Sequence, residues 1–252
     1  MRFGYFSVLV MSVAVLAFGC KDKDDSNETK VSMKVNFRYG TQALVYDQEY
    51  VYETDKKIKI ELVKFYVSKP ALRNAAGEWV AFDTDCFLVD LDHPTMDAGT
   101  FPKGTYTGIQ LGIGVDNSRN IQTDPNAKPA TDYPNDHPLN AASDMWWGWA
   151  SGYIFVKVEG RIDANNNGSY IDTEDKTVSY HPGVSDLYRT VTLEKSITFD
   201  SETATPEITL DVEKLFTNLD LLAHPYSHPN TQGDADYVTS GRMMDNFQSA
   251  FE

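Results

Sequence analysis

Only two cysteines occur in the 252 residues, Cys20 and Cys86, and neither belongs to a CxxC or CxxH grouping. Structural zinc held by clustered Cys and His is excluded on that ground. Positive charge is scarce as well: 22 Lys and Arg stand against 37 Asp and Glu, a net charge of −15. So acidic a surface repels phosphate backbones, which argues against nucleic acid as a partner. It suits a soluble domain that must not adhere to anionic lipid. There is no GxSxG, no HExxH and no phosphate-binding glycine loop. With no nucleophile–base pair evident either, the expectation is a protein that is not an enzyme. Internal repeats and domain boundaries are lacking too, and helical periodicity is sparse.

The chain opens with an export signal. Arg2 precedes an apolar stretch from about Tyr5 to Phe18, too short to span a bilayer comfortably and without stop-transfer flanks. It ends in Leu16-Ala17-Phe18-Gly19-Cys20. This resembles the bacterial lipobox, in which the cysteine is acylated and the peptide before it removed. Residues 1–19 are therefore read as a lipoprotein signal peptide and Cys20 as the lipidated first residue. Several acyl chains on one cysteine anchor firmly where a single chain binds only marginally. Residues 20–30, including Lys21-Asp22-Lys23-Asp24-Asp25, are too polar to fold and read as an acidic tether. The run is similar to the export signal that carries lipoproteins of the Bacteroidetes group to the cell surface. The expected location is the cell envelope, lipid-anchored to the outer membrane on its periplasmic side or at the cell surface. With Cys20 acylated, Cys86 has no disulfide partner; inside the apolar run Cys86–Leu91 it reads as a buried, inert thiol.

Residues 31–252 are read as one β domain, because the hydrophobic period is two. Val31 to Phe37 alternates. Ile58, Ile60 and Leu62 face one way, and Val63, Phe65 and Val67 the other, a phase flip that predicts a β-bulge. Thr105 to Val115 carries apolar residues on one face and Gly108, Gly112 and Gly114 opposite, which predicts close approach by other backbone or an aromatic ring. Further strands are expected at Trp79–Phe82, Cys86–Leu91, Tyr153–Ile162, Thr177–Tyr180, Tyr188–Leu193, Ile197–Phe199 and Glu207–Val212. A short helix capped by Asp211 and another from Thr239 carrying Met243, Phe247 and Phe251 complete the reading. The predicted fold is an all-β, antiparallel, immunoglobulin-like sandwich with long loops and one or two short helices. Residues 117 to 145, rich in Pro, Asn and Asp, form a loop long enough to be functional.

Two constellations carry chemistry. Asp163, Asn165, Asn167, the Ser169 carbonyl and Glu174, with Gly168 at the sharp turn, match the oxygen spacing of a twelve-residue calcium loop. The flanks read as strands rather than helices, so a hairpin turn closed by Asn-Asn-Gly is the competing reading. The second is Asp136-His137-Pro138-Leu139 followed by Trp146-Trp147-Gly148-Trp149, three of the four tryptophans within four residues. By composition alone an aromatic corner of the core is the favoured reading; a buried indole N–H still needs a polar partner. All five histidines, His93, His137, His181, His224 and His228, precede proline, which sets each on extended or turn backbone.

From Met145-Trp146-Trp147-Gly148-Trp149 through Ser151-Gly152-Tyr153-Ile154-Phe155-Val156, the chain resembles the MbnP-like proteins, named for a partner of the copper-scavenging peptide methanobactin. Leu62–Ser68, Leu88-Val89-Asp90, Gly104–Asp116 and Tyr180-His181-Pro182-Gly183 agree in order. The resemblance implies a copper-binding envelope protein. In some relatives the site combines histidines with a tryptophan oxidised to kynurenine by a dihaem, peroxidase-like partner enzyme. By motif position it points to His137 and His181 as copper ligands, with one of Trp146, Trp147 and Trp149 beside them, and to the nearby pair His224 and His228 as the reserve. The competing class is a surface module that binds a protein or glycan, with calcium shaping a loop.

Overall fold

The computed structural model describes residues 27–148 and 151–252; the signal peptide, Cys20, most of the tether and Trp149 lie outside them. In chain order the strands are β1 (Glu28–Tyr39), β2 (Gln42–Ala43), β3 (Glu49–Glu53), β4 (Lys56–Asn74), β5 (Trp79–Ala81), β6 (Cys86–Asp90), β7 (Thr95–Pro102) and β8 (Gly104–Ile113). After the long loop come β9 (Trp146–Gly148), β10 (Gly152–Tyr153), β11 (Val156–Asp163), β12 (Lys176–Tyr180), β13 (Arg189–Leu193), β14 (Ile197–Phe199), β15 (Thr203–Ala204) and β16 (Glu207–Asp211). A short helix α1 (Val212–Leu215), β17 (Tyr226–Ser227) and α2 (Tyr237–Ala250) follow.

Two sheets share one core, so the fold is the all-β sandwich expected. β1 centres the smaller sheet, with Val31, Met33, Val35, Phe37 and Tyr39 buried on alternate positions. The larger sheet runs β13-β8-β4-β11-β12-β17. Phe37 meets Phe65 of β4 across the core at 6.2 Å between ring centres, and Phe247 of α2 sets its edge on the same ring at 5.7 Å. Each such ring removed from water contributes about 1.5–3 kcal/mol. The sheets are not purely antiparallel, as the sequence reading had them: β15 and β16 pair with β1, and β17 with β12, in parallel.

The expected bulge lies in β4. Ile60 pairs with Gly160 of β11 while Leu62 pairs with Glu159, leaving Glu61 as the extra residue. Burial changes phase there, from Ile58 and Ile60 to Val63, Phe65 and Val67. The glycine face of β8 receives the predicted neighbours: a Cβ on Gly114 would fall 2.5 Å from the Phe155 ring, and one on Gly112 inside the Tyr188 hydroxyl. Other boundaries move. β1 starts at Glu28 rather than Val31, because Thr29 is buried and its hydroxyl donates to the Ser201 carbonyl at 2.5 Å. Asp211 precedes α1 without capping it; its carboxylate accepts from Arg38 and from the Gly40 N–H at 3.0 Å.

The long loop is pinned to the core by two phenols. Tyr66 donates to the Pro138 carbonyl at 2.8 Å and Tyr153 to the Leu139 carbonyl at 2.9 Å. Both rings are buried, so each hydroxyl satisfies a loop carbonyl that water does not reach. Leu139 and Met145 follow into the core. Among the described residues no helix is long and apolar enough to cross a membrane.

Candidate metal centre

β12 alternates, sending Val178 and Tyr180 into the core and Ser179 to the opposite face. β17 lies beside it in parallel, with Ser179 opposite Tyr226 and Tyr180 opposite Ser227. One residue on, His181 donates its backbone N–H to the Ser227 carbonyl at 2.8 Å and stands level with His228. Pro182 and Pro229 follow, and proline supplies no amide to continue a ladder. Two His-Pro ends thus fall side by side. Their imidazoles stack with ring centres 4.2 Å apart and planes 4° from parallel, close to the spacing of neighbouring strands.

The nitrogens converge on one hydroxyl. Ser179 Oγ lies 2.8 Å from His228 Nε2 and 3.3 Å from His181 Nε2. His181 Nε2 is also 2.7 Å from Glu159 Oε1, a β11 carboxylate paired with Ser179 across the sheet. A carboxylate only accepts, so these partners assign the Nε2–H tautomer to His181, and Ser179 O–H donates to His228. Burial, and then the neighbouring His228, depress the His181 pKa to about 4 against the opposing pull of Glu159. Burial lowers His228 as well, opposed by Asp236. At neutral pH both rings are uncharged, the state in which imidazole binds metal.

The tryptophan hairpin packs on the turn that follows His181. β9 and β10 pair antiparallel, with Trp146 opposite Tyr153, and Trp146 and Trp147 are half-buried against the core. The ring edge of Trp147 lies where a side chain on Gly183 would begin, 2.9 Å from that position. Gly183 is two residues beyond His181, and the Pro182 carbonyl between them accepts from the Phe155 N–H at 2.7 Å. Lys157 of β11, almost fully buried, reaches Asp144 just before the hairpin at 2.7 Å.

His137 is placed elsewhere. Its ring stacks on Tyr133 at 4.3 Å and its Nδ1 accepts from the Leu139 N–H at 3.0 Å. Burial first, then Arg119 and Lys128, lower its pKa, whereas His228, Glu159 and Lys157 are the charges acting on His181. The structure sets His181 against His228 and gives His137, the partner drawn from the sequence, other neighbours. The reserve pair also separates: Tyr180 donates to the His224 carbonyl at 2.6 Å, and the His224 side chain lines a cleft with Asp220 and Arg242. His93 is exposed beside Asp90 at 3.0 Å. The parallel ladder that unites His181 and His228 joins segments more than forty residues apart, and β17 is two residues long. The repeated His-Pro pair was the only local sign of it.

As the rings stand, their stacked planes are not directed at a shared ion. An ion bound by imidazole lies near the ring plane, and two parallel planes share none. Among the described residues no group of three His, Cys, Asp or Glu side chains is arranged to hold an ion. The donor types nevertheless suit copper: two neutral imidazoles and a carboxylate, partly shielded from water.

The 164–175 loop between β11 and β12 uses its carboxylates on its own backbone. Asp163, fully buried, accepts from the N–H groups of Asn167 at 3.1 Å and Gly168 at 2.8 Å. Asn165 accepts from Asn167, and Asn167 from the Ser169 N–H. Asn166 and Gly168 take positive φ, as the hairpin reading requires. Glu174 is exposed. Cys86 is buried, and burial pushes its thiol up to about 12, the inert state expected.

Among curated proteins none matches the chain. A solved structure, MbnP from Methylosinus trichosporium, shares the fold at a TM-score of 0.51 and 17% identity, over 83% of this chain and 82% of that one. The sequence profile of MbnP matches residues 28–232. The chain belongs to the MbnP family.

Proposed function

We propose that this protein binds copper at the cell envelope and hands it on, acting as a carrier rather than a catalyst. His181 and His228 are the ligands, Glu159 is the nearest additional oxygen donor, and Trp147 lies at the edge of the site. Cys20 carries the lipid that anchors the domain to the outer membrane. One observation carries the reading: two imidazoles from separate segments, both uncharged at neutral pH, direct Nε2 to one hydroxyl. Membership of the MbnP family agrees with it. The chain would supply two neutral imidazole nitrogens, His181 offering Nε2 in the tautomer that keeps its proton on Nδ1, together with the Glu159 carboxylate and partial exclusion of water.

A methanobactin-linked context follows for this chain from the family's name, with a dihaem enzyme that modifies tryptophan as the corresponding partner. Copper analysis of the lipoprotein isolated from its own source tests the role. The expected result is close to one copper per chain, lost in His181→Ala and His228→Ala alike and retained in His137→Ala. Protein that takes up no copper, even with added Cu(I) or Cu(II), leaves the surface-module class instead.

A further inference from the structure

Beside the candidate ligands, the His181–Gly183 turn meets the tryptophan hairpin, joined to the chain that follows the hairpin by the Phe155 N–H on the Pro182 carbonyl, and a third segment fastens the two further. Residues 117–124 close on themselves: the Asn120 carbonyl accepts from the N–H groups of Thr123 and Asp124 at 3.0 Å each, and Thr123 Oγ1 donates to the Asn117 carbonyl at 2.6 Å. Two carboxamides reach out of this turn. Gln122 donates Nε2 to the Ser151 carbonyl at the return of the hairpin, 2.6 Å away. Its Oε1 accepts from the Ser185 N–H and hydroxyl at 3.3 Å each. Asn120, fully buried, donates Nδ2 to the same Ser185 hydroxyl at 2.9 Å. A Cβ on Gly152 would fall 2.4 Å from Asn120 Oδ1, so the hairpin strand must present glycine to let the clamp close.

One side chain, Gln122, therefore bridges the hairpin to the segment that begins at His181. Both ends of its amide are used, which sets its orientation as well as its place. We infer that Asn120 and Gln122 are positioning residues of the metal centre, holding Trp147 against Gly183 and thereby fixing the place of the indole relative to His181. The inference rests on the copper reading for its consequence, and on the hydrogen bonds above for its geometry. Neither residue touches a proposed ligand. Their effect passes through Ser151 and Ser185.

The test compares the full chain in detergent with Gln122→Met, which keeps the bulk and removes both hydrogen-bonding ends. Two readouts are taken below the unfolding range. The first needs no metal: the indole N–H signal of Trp147, assigned by its loss in Trp147→Phe, moves in Gln122→Met. The second is copper: affinity falls about tenfold, the low end of what loss of an outer-shell partner costs, and the paramagnetic spectrum of Cu(II) changes its hyperfine splitting. A variant of reduced stability alone leaves both spectra unaltered. Failure of the wild type to bind copper sinks the copper reading, while the indole signal still decides the clamp. A folded Gln122→Met variant with the wild-type indole signal overturns the inference, as does unchanged copper affinity and splitting in protein that binds copper.

Discussion

Gly183→Ala is the most demanding test of how the site is packed. The backbone of Gly183 is not in the left-handed region, so alanine suffers no strain of its own and the cost is one of contact. Its Cβ would fall 2.4 Å from the Tyr153 carbonyl, 2.9 Å from the Trp147 ring and 3.3 Å from Ile154 Cα. Two of these are backbone and the third is a rigid ring, so none yields cheaply. Overpacking of this sort costs about 1–3 kcal/mol. Removing glycine from the unfolded chain returns about 0.4–1 kcal/mol. The contact term wins, leaving a loss of about 1–2 kcal/mol. For a domain of this size that lowers Tm by roughly 2–8 °C. Thermal unfolding followed by circular dichroism reads it, with Gly233→Ala as the control, since its nearest neighbour there is Thr231 Oγ1 at 3.7 Å. The near-ultraviolet signal of the tryptophans shifts in the first variant only. Equal melting of the two variants, with an unchanged tryptophan signal, would falsify the placement of Trp147 against the histidine turn.

Stability depends on pH through the same pair. His181 titrates lower folded than unfolded, so below pH 6.5 the unfolded chain takes up a proton that the folded chain refuses until about pH 4. Tm therefore falls as pH drops through that window, and His181→Gln flattens the slope there; an unchanged slope contradicts the burial of that ring. Tyr66→Phe strips the Pro138 carbonyl of its buried donor and is expected to cost about 1–3 kcal/mol in denaturant titration. A loss below 0.5 kcal/mol, the scatter of neutral surface changes, shows the loop is not held there. Phe251→Ala removes a buried ring 6.1 Å from both Phe65 and Phe247, at a cost of about 3–5 kcal/mol; calorimetry showing a wild-type transition counts against that packing.

Much of the sandwich was readable because burial writes a period of two. The flip between Leu62 and Val63 located the β4 bulge, and Gly112 and Gly114 signalled the close approach that Tyr188 and Phe155 make. β7 was missed because Met96, Ala98 and Phe101 fall out of phase at Gly99, where its register with β1 shifts. The run from Tyr153 to Ile162 read as one strand yet breaks after Tyr153, since the Phe155 amide bonds to Pro182 rather than to a neighbouring strand. Both failures have one cause: local pattern says nothing about which distant backbone completes a hydrogen bond. The site shows it most sharply. His181 carried a motif, but the histidine beside it depends on a two-residue parallel pairing of β12 with β17. His-Pro occurs five times, and only the register distinguishes His228 from the rest.

The copper assignment stands or falls on which imidazoles touch the metal. Pulsed paramagnetic resonance on Cu(II)-loaded protein counts coordinated imidazole nitrogens directly. The expected count is two in the wild type, one or none in His181→Ala and in His228→Ala, and two in His137→Ala. A count that drops in His137→Ala but stays at two in His228→Ala contradicts the pairing on which the proposed centre is built.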